Sequence, residues 1–175
     1  ELRVSADIPR GVFVIRSLKK GESIPTDVIQ SLFPDRQSDF VLSVGEGDVV
    51  LIRQMPEGAG VKELNKIAIS IEETLRDGGE STVVVGIGTI AIHLRDLAKS
   101  YKEAQIAIEV GKVFDTEKTI ITYENLGIGR LIYQLPTVMC GMFLQEVFKK
   151  NPIDALDQET LFTINKFFEN NLNVS

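Results

Sequence analysis

The chain has little with which to build a covalent or metal-bound scaffold: one cysteine, Cys140, and one histidine, His93, in 175 residues. A single cysteine cannot form an internal disulfide, and without a cysteine or histidine cluster a structural zinc or multi-histidine centre has no ligands. No Gly-x-Ser-x-Gly elbow is present, so no hydrolase nucleophile is visible. There is no apolar run of about twenty residues and no secretory leader, which predicts a soluble, cytoplasmic chain without membrane contact. Basic residues are outnumbered: 19 Lys and Arg stand against 25 Asp and Glu, for a net charge of −6. A surface that grips a phosphate backbone needs a basic patch, so this chain is not expected to bind duplex DNA by itself.

What is present supports one ordinary domain with an extension. Hydrophobic residues make up 43% and charged residues 25%, enough for a core and for solubility. The chain opens on Glu1 rather than Met and stops at Asn173-Val174-Ser175 after an amphipathic pattern, which suggests a fragment of a larger protein. Cys140 lies among Val138, Met139, Met142 and Phe143 and is expected to be a small core residue.

Gly11 to Arg16 reads as a first strand, and Pro25 suits the first turn of a short helix over Thr26 to Phe33. Phe40 to Ser43 and Val49 to Arg53 are two strands joined by Gly45-Glu46-Gly47-Asp48, a β-hairpin whose glycines can supply positive φ. Val61, Leu64, Ile67, Ala68, Ile71 and Leu75 give a helix over Val61 to Arg76, stopped by Asp77-Gly78-Gly79. Beyond Glu124 the pattern is helical alone: Gly129 to Leu135, Thr137 to Lys150 and Thr160 to Leu172, the last with Leu161, Ile164, Phe167 and Phe168 on one face.

The stretch from Thr82 to Gly127 is the most informative. Val83, Val84, Val85 and Ile87 form a β-branched run, the composition of a strand buried on both faces. A Gly86-Ile87-Gly88 turn follows. Leu94, Leu97, Ala98, Tyr101, Ala104, Ala107, Ile108 and Gly111 then make one apolar helix face, which leaves Lys102 and Glu109 off the stripe. Ile120 and Ile121 close the unit. Gly86–Gly88, Ser100–Ala104 and Ala107–Gly111 resemble motif pieces of the GGDEF-like domain in bacterial sugar-diacid and purine-catabolism (CdaR/PucR-type) transcriptional regulators. The expected fold is α/β (α+β): a βαββαβ ferredoxin-like or nucleotide-cyclase palm, a sheet with helices on one face and a hairpin in its middle, plus a C-terminal helical extension. The boundaries expected are residues 8–125 for the palm and 126–175 for a helical segment leading towards a helix-turn-helix domain.

Active palms of this kind need carboxylates to hold two divalent metals against a triphosphate, with a glycine-rich hairpin admitting the nucleotide. Here Val14-Ile15-Arg16-Ser17 occupies the end of the first strand, where the resemblance would require a metal carboxylate, and supplies arginine instead. Val44-Gly45-Glu46-Gly47-Asp48-Val49 resembles the family hairpin, with Asp48 at the metal-binding acid's place and Glu46 adding bulk and charge in the approach. A polar turn role is the expectation for Asp48. Lys112 matches a phosphate-contacting lysine, but a lysine near a helix C-terminus is also favoured by the helix dipole. Gly86-x-Gly88 could suggest a phosphate cradle; a tight strand exit is the preferred account. His93 is expected to cap or flank the following helix, and Phe162, Phe167 and Phe168 to be core or dimer interface.

No catalytic, cofactor-binding or metal site is therefore assigned, and no cofactor is expected. The resemblance implies a non-catalytic domain of a transcriptional regulator that transmits a signal and self-associates, as a homodimer. Duplex DNA would be bound only through a downstream domain, and a small-molecule effector through an upstream sensor. The alternative is a degenerate palm that still binds a nucleotide or other small effector.

Overall fold

A computed structural model describes residues 7–19, 21–45, 47–77, 82–114 and 118–147. The chain falls into two compact units, Glu1–Arg130 and Leu131–Ser175. In the first, β1 (Arg10–Ser17), α1 (Thr26–Leu32), β2 (Asp39–Val44), β3 (Asp48–Gln54), α2 (Val61–Asp77), β4 (Val83–Ile87), α3 (Leu97–Phe114) and β5 (Ile120–Thr122) follow in order. The strands form one mixed sheet in the order β2-β3-β1-β4-β5. All neighbours are antiparallel except β4 and β5, which run parallel. The strands through β4 have the ferredoxin-like arrangement expected, and the fold class is that of the palm. Past the βαββαβ motif the order continues with α3 and β5, the helix and closing strand expected over Leu94 to Gly111 and at Ile120 and Ile121.

Side-chain alternation along β1 divides the core in two. Phe13 and Ile15 point to a layer built from Ile29 of α1 and Leu64, Ala68, Ile71 and Leu75 of α2. Val12 and Val14 point the other way, to Ala104, Ala107 and Ile108 of α3. Helices therefore cover both faces, which corrects the expectation of helices on one face. The reason lies in β4, all five of whose residues are buried. Val83, Val85 and Ile87 enter the α2 layer and Val84 the α3 layer, so a strand of this composition needs two covers.

The contact between β4 and α3 also corrects the reading of Gly86 and Gly88 as a turn. Gly86 lies inside β4, and neither glycine is among those with positive φ, which are Gly21, Gly45, Gly58 and Gly127. A Cβ on Gly86 would run into the carbonyl oxygen of Ala104, and one on Gly88 into that of Ser100. Their missing side chains let the helix backbone lie directly on the strand. Gly111 does the same further along, where a Cβ would meet the side chain of Ile121.

The buried stripe of α3 is rotated slightly from the one expected. Ser100, Glu103, Ala104, Ala107, Ile108, Val110 and Gly111 are buried, whereas Leu94 and Ala98 are exposed. Two polar residues enter the stripe because the strand exit needs partners. Ser100 Oγ donates to the Thr89 carbonyl at 2.6 Å, and the Glu103 carboxylate accepts the Thr89 N–H at 3.0 Å and its hydroxyl.

The hairpin and α2 stand where expected, and Gly45 supplies a φ of 64° in the turn. Next come α4 (Gly129–Gln134) and, in the second unit, α5 (Thr137–Val147). Cys140 lies on α5 half-buried, with Val138, Met139, Met142 and Phe143 exposed around it. It is not the core residue expected, since those neighbours form no buried cluster among the described residues. The helix expected over Thr160 to Leu172, with its Phe162, Phe167 and Phe168, and the Gly78-Gly79 stop lie outside the described residues.

Candidate functional site

Three charged side chains of the first unit, Arg16, Asp48 and Glu109, converge at one corner of the sheet, where β1 ends and β3 begins. Antiparallel pairing sets Arg16 opposite Asp48. Arg16 follows Val12 and Val14 at even spacing, so its side chain rises on the α3 face, within reach of Glu109. The guanidinium donates from Nε to Asp48 Oδ1 and from Nη2 to Asp48 Oδ2, both at 2.8 Å. Its remaining arm, Nη1, donates to Glu109 Oε1. The side chains of Arg16 and Asp48 are 24% and 15% exposed and that of Glu109 43%, so the bidentate pair is the shielded part of the cluster.

Two parallel charge-assisted bonds are the strongest geometry an arginine and a carboxylate can adopt. Hydrogen bonding to Asp48 comes first in holding the Arg16 guanidinium above its ordinary pKa; partial desolvation opposes it and Glu109 adds to it. The cation stays charged, and one fixed positive group faces two carboxylates.

This arrangement decides whether the palm's metals fit. A divalent ion would need the oxygens of Asp48 and Glu109, with at least one further acid. Both oxygens of Asp48 and one of Glu109 are already taken by Arg16. Among the described residues no group of three His, Cys, Asp or Glu side chains is placed to hold a metal. The residues present do not fit the ion pair of an active cyclase.

The other sequence candidates lie apart from this corner. Lys112 is exposed in the last turn of α3, where the dipole favours it. His93 stands at the N-cap of a 3-10 turn, Leu94–Asp96, that leads into α3, as expected of a capping residue. Its backbone N–H donates to the Asp96 carboxylate at 3.4 Å, and its Nδ1 is 2.7 Å from the Asp7 carboxylate. Glu46 lies outside the described residues. A cavity of about 300 Å³ near the other end of β1 is lined by Thr89 to His93, Asp96 and Lys99. Its polar groups are already engaged, Thr89 and Lys99 by Glu103 and His93 by Asp7.

A family model described as a GGDEF-like domain matches residues 1–110, more than half the chain. The chain belongs to this family. A search of the curated proteins finds no match. In this GGDEF-like domain, sequence reasoning singled out Arg16 and Asp48 but missed that they bind each other, and it set Glu109 aside as a residue off the helix stripe. A signal was available. An arginine ending a β-branched strand carries a charge that must be neutralised if its neighbours are buried, and Glu109 directly follows Ile108 of the apolar stripe.

Proposed function

We propose that this GGDEF-like domain is a non-catalytic, signal-transmitting and self-associating domain of a bacterial DNA-binding transcriptional regulator of the sugar-diacid and purine-catabolism type. The observation that carries the reading is the position of Arg16. A fixed guanidinium holds the hairpin carboxylate in the place where nucleotide cyclisation needs a dication, so the palm keeps its shape and gives up its chemistry. The acidic balance of the chain, −6 overall, fits a domain that leaves DNA to a basic module downstream. Effector binding belongs, on this reading, to a sensor upstream.

The test is turnover. The 175-residue chain incubated with GTP or ATP and Mg²⁺ or Mn²⁺ should release neither cyclic nucleotide nor pyrophosphate above a buffer blank. Product formation that disappears in Asp48→Ala would overturn the reading.

A further inference from the structure

Among the described residues one long sheet edge is left open. The sheet ends on one side in β5, three residues long, and on the other in β2, six residues long. We propose that β2 pairs with β2 of a second copy of this chain, antiparallel about a two-fold axis at Leu42, joining two five-stranded sheets into one. The inference rests on the self-association proposed above and names its surface.

Backbone alternation sets which groups face outward. The Gln54 N–H donates to the Ser38 carbonyl at 3.1 Å, and the Asp39 N–H turns away to the Asp35 carbonyl at 2.8 Å. Narrow and wide pairs alternate along an antiparallel ladder. Phe40, Leu42 and Val44 therefore bond inward to β3, and the N–H and C=O groups of Val41 and Ser43 point away from the sheet. Natural edges are blunted by charge, proline or a bulge. From Phe40 to Val44 this edge has none of these: all five residues are uncharged and the pairing with β3 is regular.

The face beside that edge is also incompletely covered. Leu42 lies opposite Val50, which belongs to the core layer of α3, so Phe40, Leu42 and Val44 look out on the same side. The helix packs on β1, β4 and β5, and at β2 Leu42 is 48% and Val44 37% exposed.

A second copy fits this edge in register. A two-fold axis at Leu42 sets Val41 opposite the partner's Ser43, the two residues whose polar groups face outward, and these can exchange both backbone hydrogen bonds. The same register sets Leu42 against the partner's Leu42 and Phe40 against the partner's Val44 on the bare face. A one-residue slip would set inward-bonding residues against outward-facing ones and lose both the hydrogen bonds and the apolar match. The strand complements itself, which singles out a second copy as its partner.

Sedimentation velocity over a concentration series tests this on the 175-residue chain and on Leu42→Lys, Leu42→Glu and Ser43→Pro. Leu42 and Ser43 are exposed, and the Ser43 N–H is outside the β2–β3 ladder, so each variant should keep the wild-type circular dichroism. The wild type should be a dimer. Each single variant should associate at least about tenfold more weakly, through like charges opposed at the axis or a lost edge donor. Mixing Leu42→Lys with Leu42→Glu should restore the dimer. A dimer that persists in all three variants would overturn the β2 surface and leave self-association standing. A monomeric wild type whose Val41 and Ser43 amides resist hydrogen exchange would mean that another segment of the same chain covers the edge. A monomeric wild type with unprotected amides would remove both the surface and the self-association reading.

Discussion

Arg16 and Asp48 face each other across the β1–β3 ladder and are joined by two parallel N–H···O bonds of 2.8 Å. The pair closes the corner of the sheet at which the hairpin, β1 and α3 meet. Its two partners differ in shielding, and that difference sets how much each should contribute.

A double-mutant cycle separates them. Denaturant melts of Arg16→Ala, Asp48→Ala and the double variant should give a coupling of about 1–3 kcal/mol, as befits a bidentate, mostly buried pair. The cycle of Arg16→Ala with Glu109→Ala should give less than about 1 kcal/mol, because Glu109 is half in water and solvent screens it. Equal couplings would mean that the guanidinium is shared evenly and that Asp48 is not its anchor.

The glycines of β4 provide an independent check on the packing of α3. Gly86→Ala and Gly88→Ala each push a methyl group into a helix carbonyl that cannot swing aside, so each should cost about 3 kcal/mol or more by overpacking. Gly47→Ala enters open space at ordinary φ and should stay within about 0.5 kcal/mol. Thermal melts that rank Gly47→Ala with the other two would contradict the close approach of strand and helix.

Along α3 itself, Ile108 is fully buried and Lys102 exposed. Ile108→Ala should cost roughly 2–5 kcal/mol through lost burial and the cavity left behind. Lys102→Ala should cost less than about 0.5 kcal/mol. Similar midpoints for the two variants would mean that the helix is turned the other way.

Binding to duplex DNA can be measured by fluorescence anisotropy at low salt, where phosphate attraction is strongest. If DNA is left to a separate module, as proposed, the 175-residue chain should show none. Tight binding by this chain alone, weakening steeply with salt, would reveal a basic surface.

The elements of this fold were legible because each has one dominant local signal. Short, largely β-branched apolar runs mark β1 and β3, the helical repeat Leu64-Ala68-Ile71-Leu75 marks α2, and Gly45 marks the hairpin turn. Their arrangement was less legible. The fully apolar run of β4 indicates burial on both faces, yet a repeat along a helix does not say which face of a sheet it will cover. Gly86 and Gly88 were misread as a turn because a glycine that removes a side chain from a crowded contact looks, in sequence, like one that supplies positive φ. The site was half legible. Arg16 stood out as a basic residue where an acid was needed, but its partners lie 32 and 93 positions away and only the β1–β3 register and the rotation of α3 bring them together.

Manganese binding tests the displacement of metal by guanidinium most directly. Free Mn²⁺ can be followed by electron paramagnetic resonance as protein is added, with and without GTP, for the wild type and Asp48→Ala. The two should deplete Mn²⁺ equally, because Asp48 is held by Arg16 and offers no free oxygen to an ion. Depletion by the wild type that is lost in Asp48→Ala would show that Asp48 ligates metal despite Arg16, and would contradict the proposal that this palm is non-catalytic.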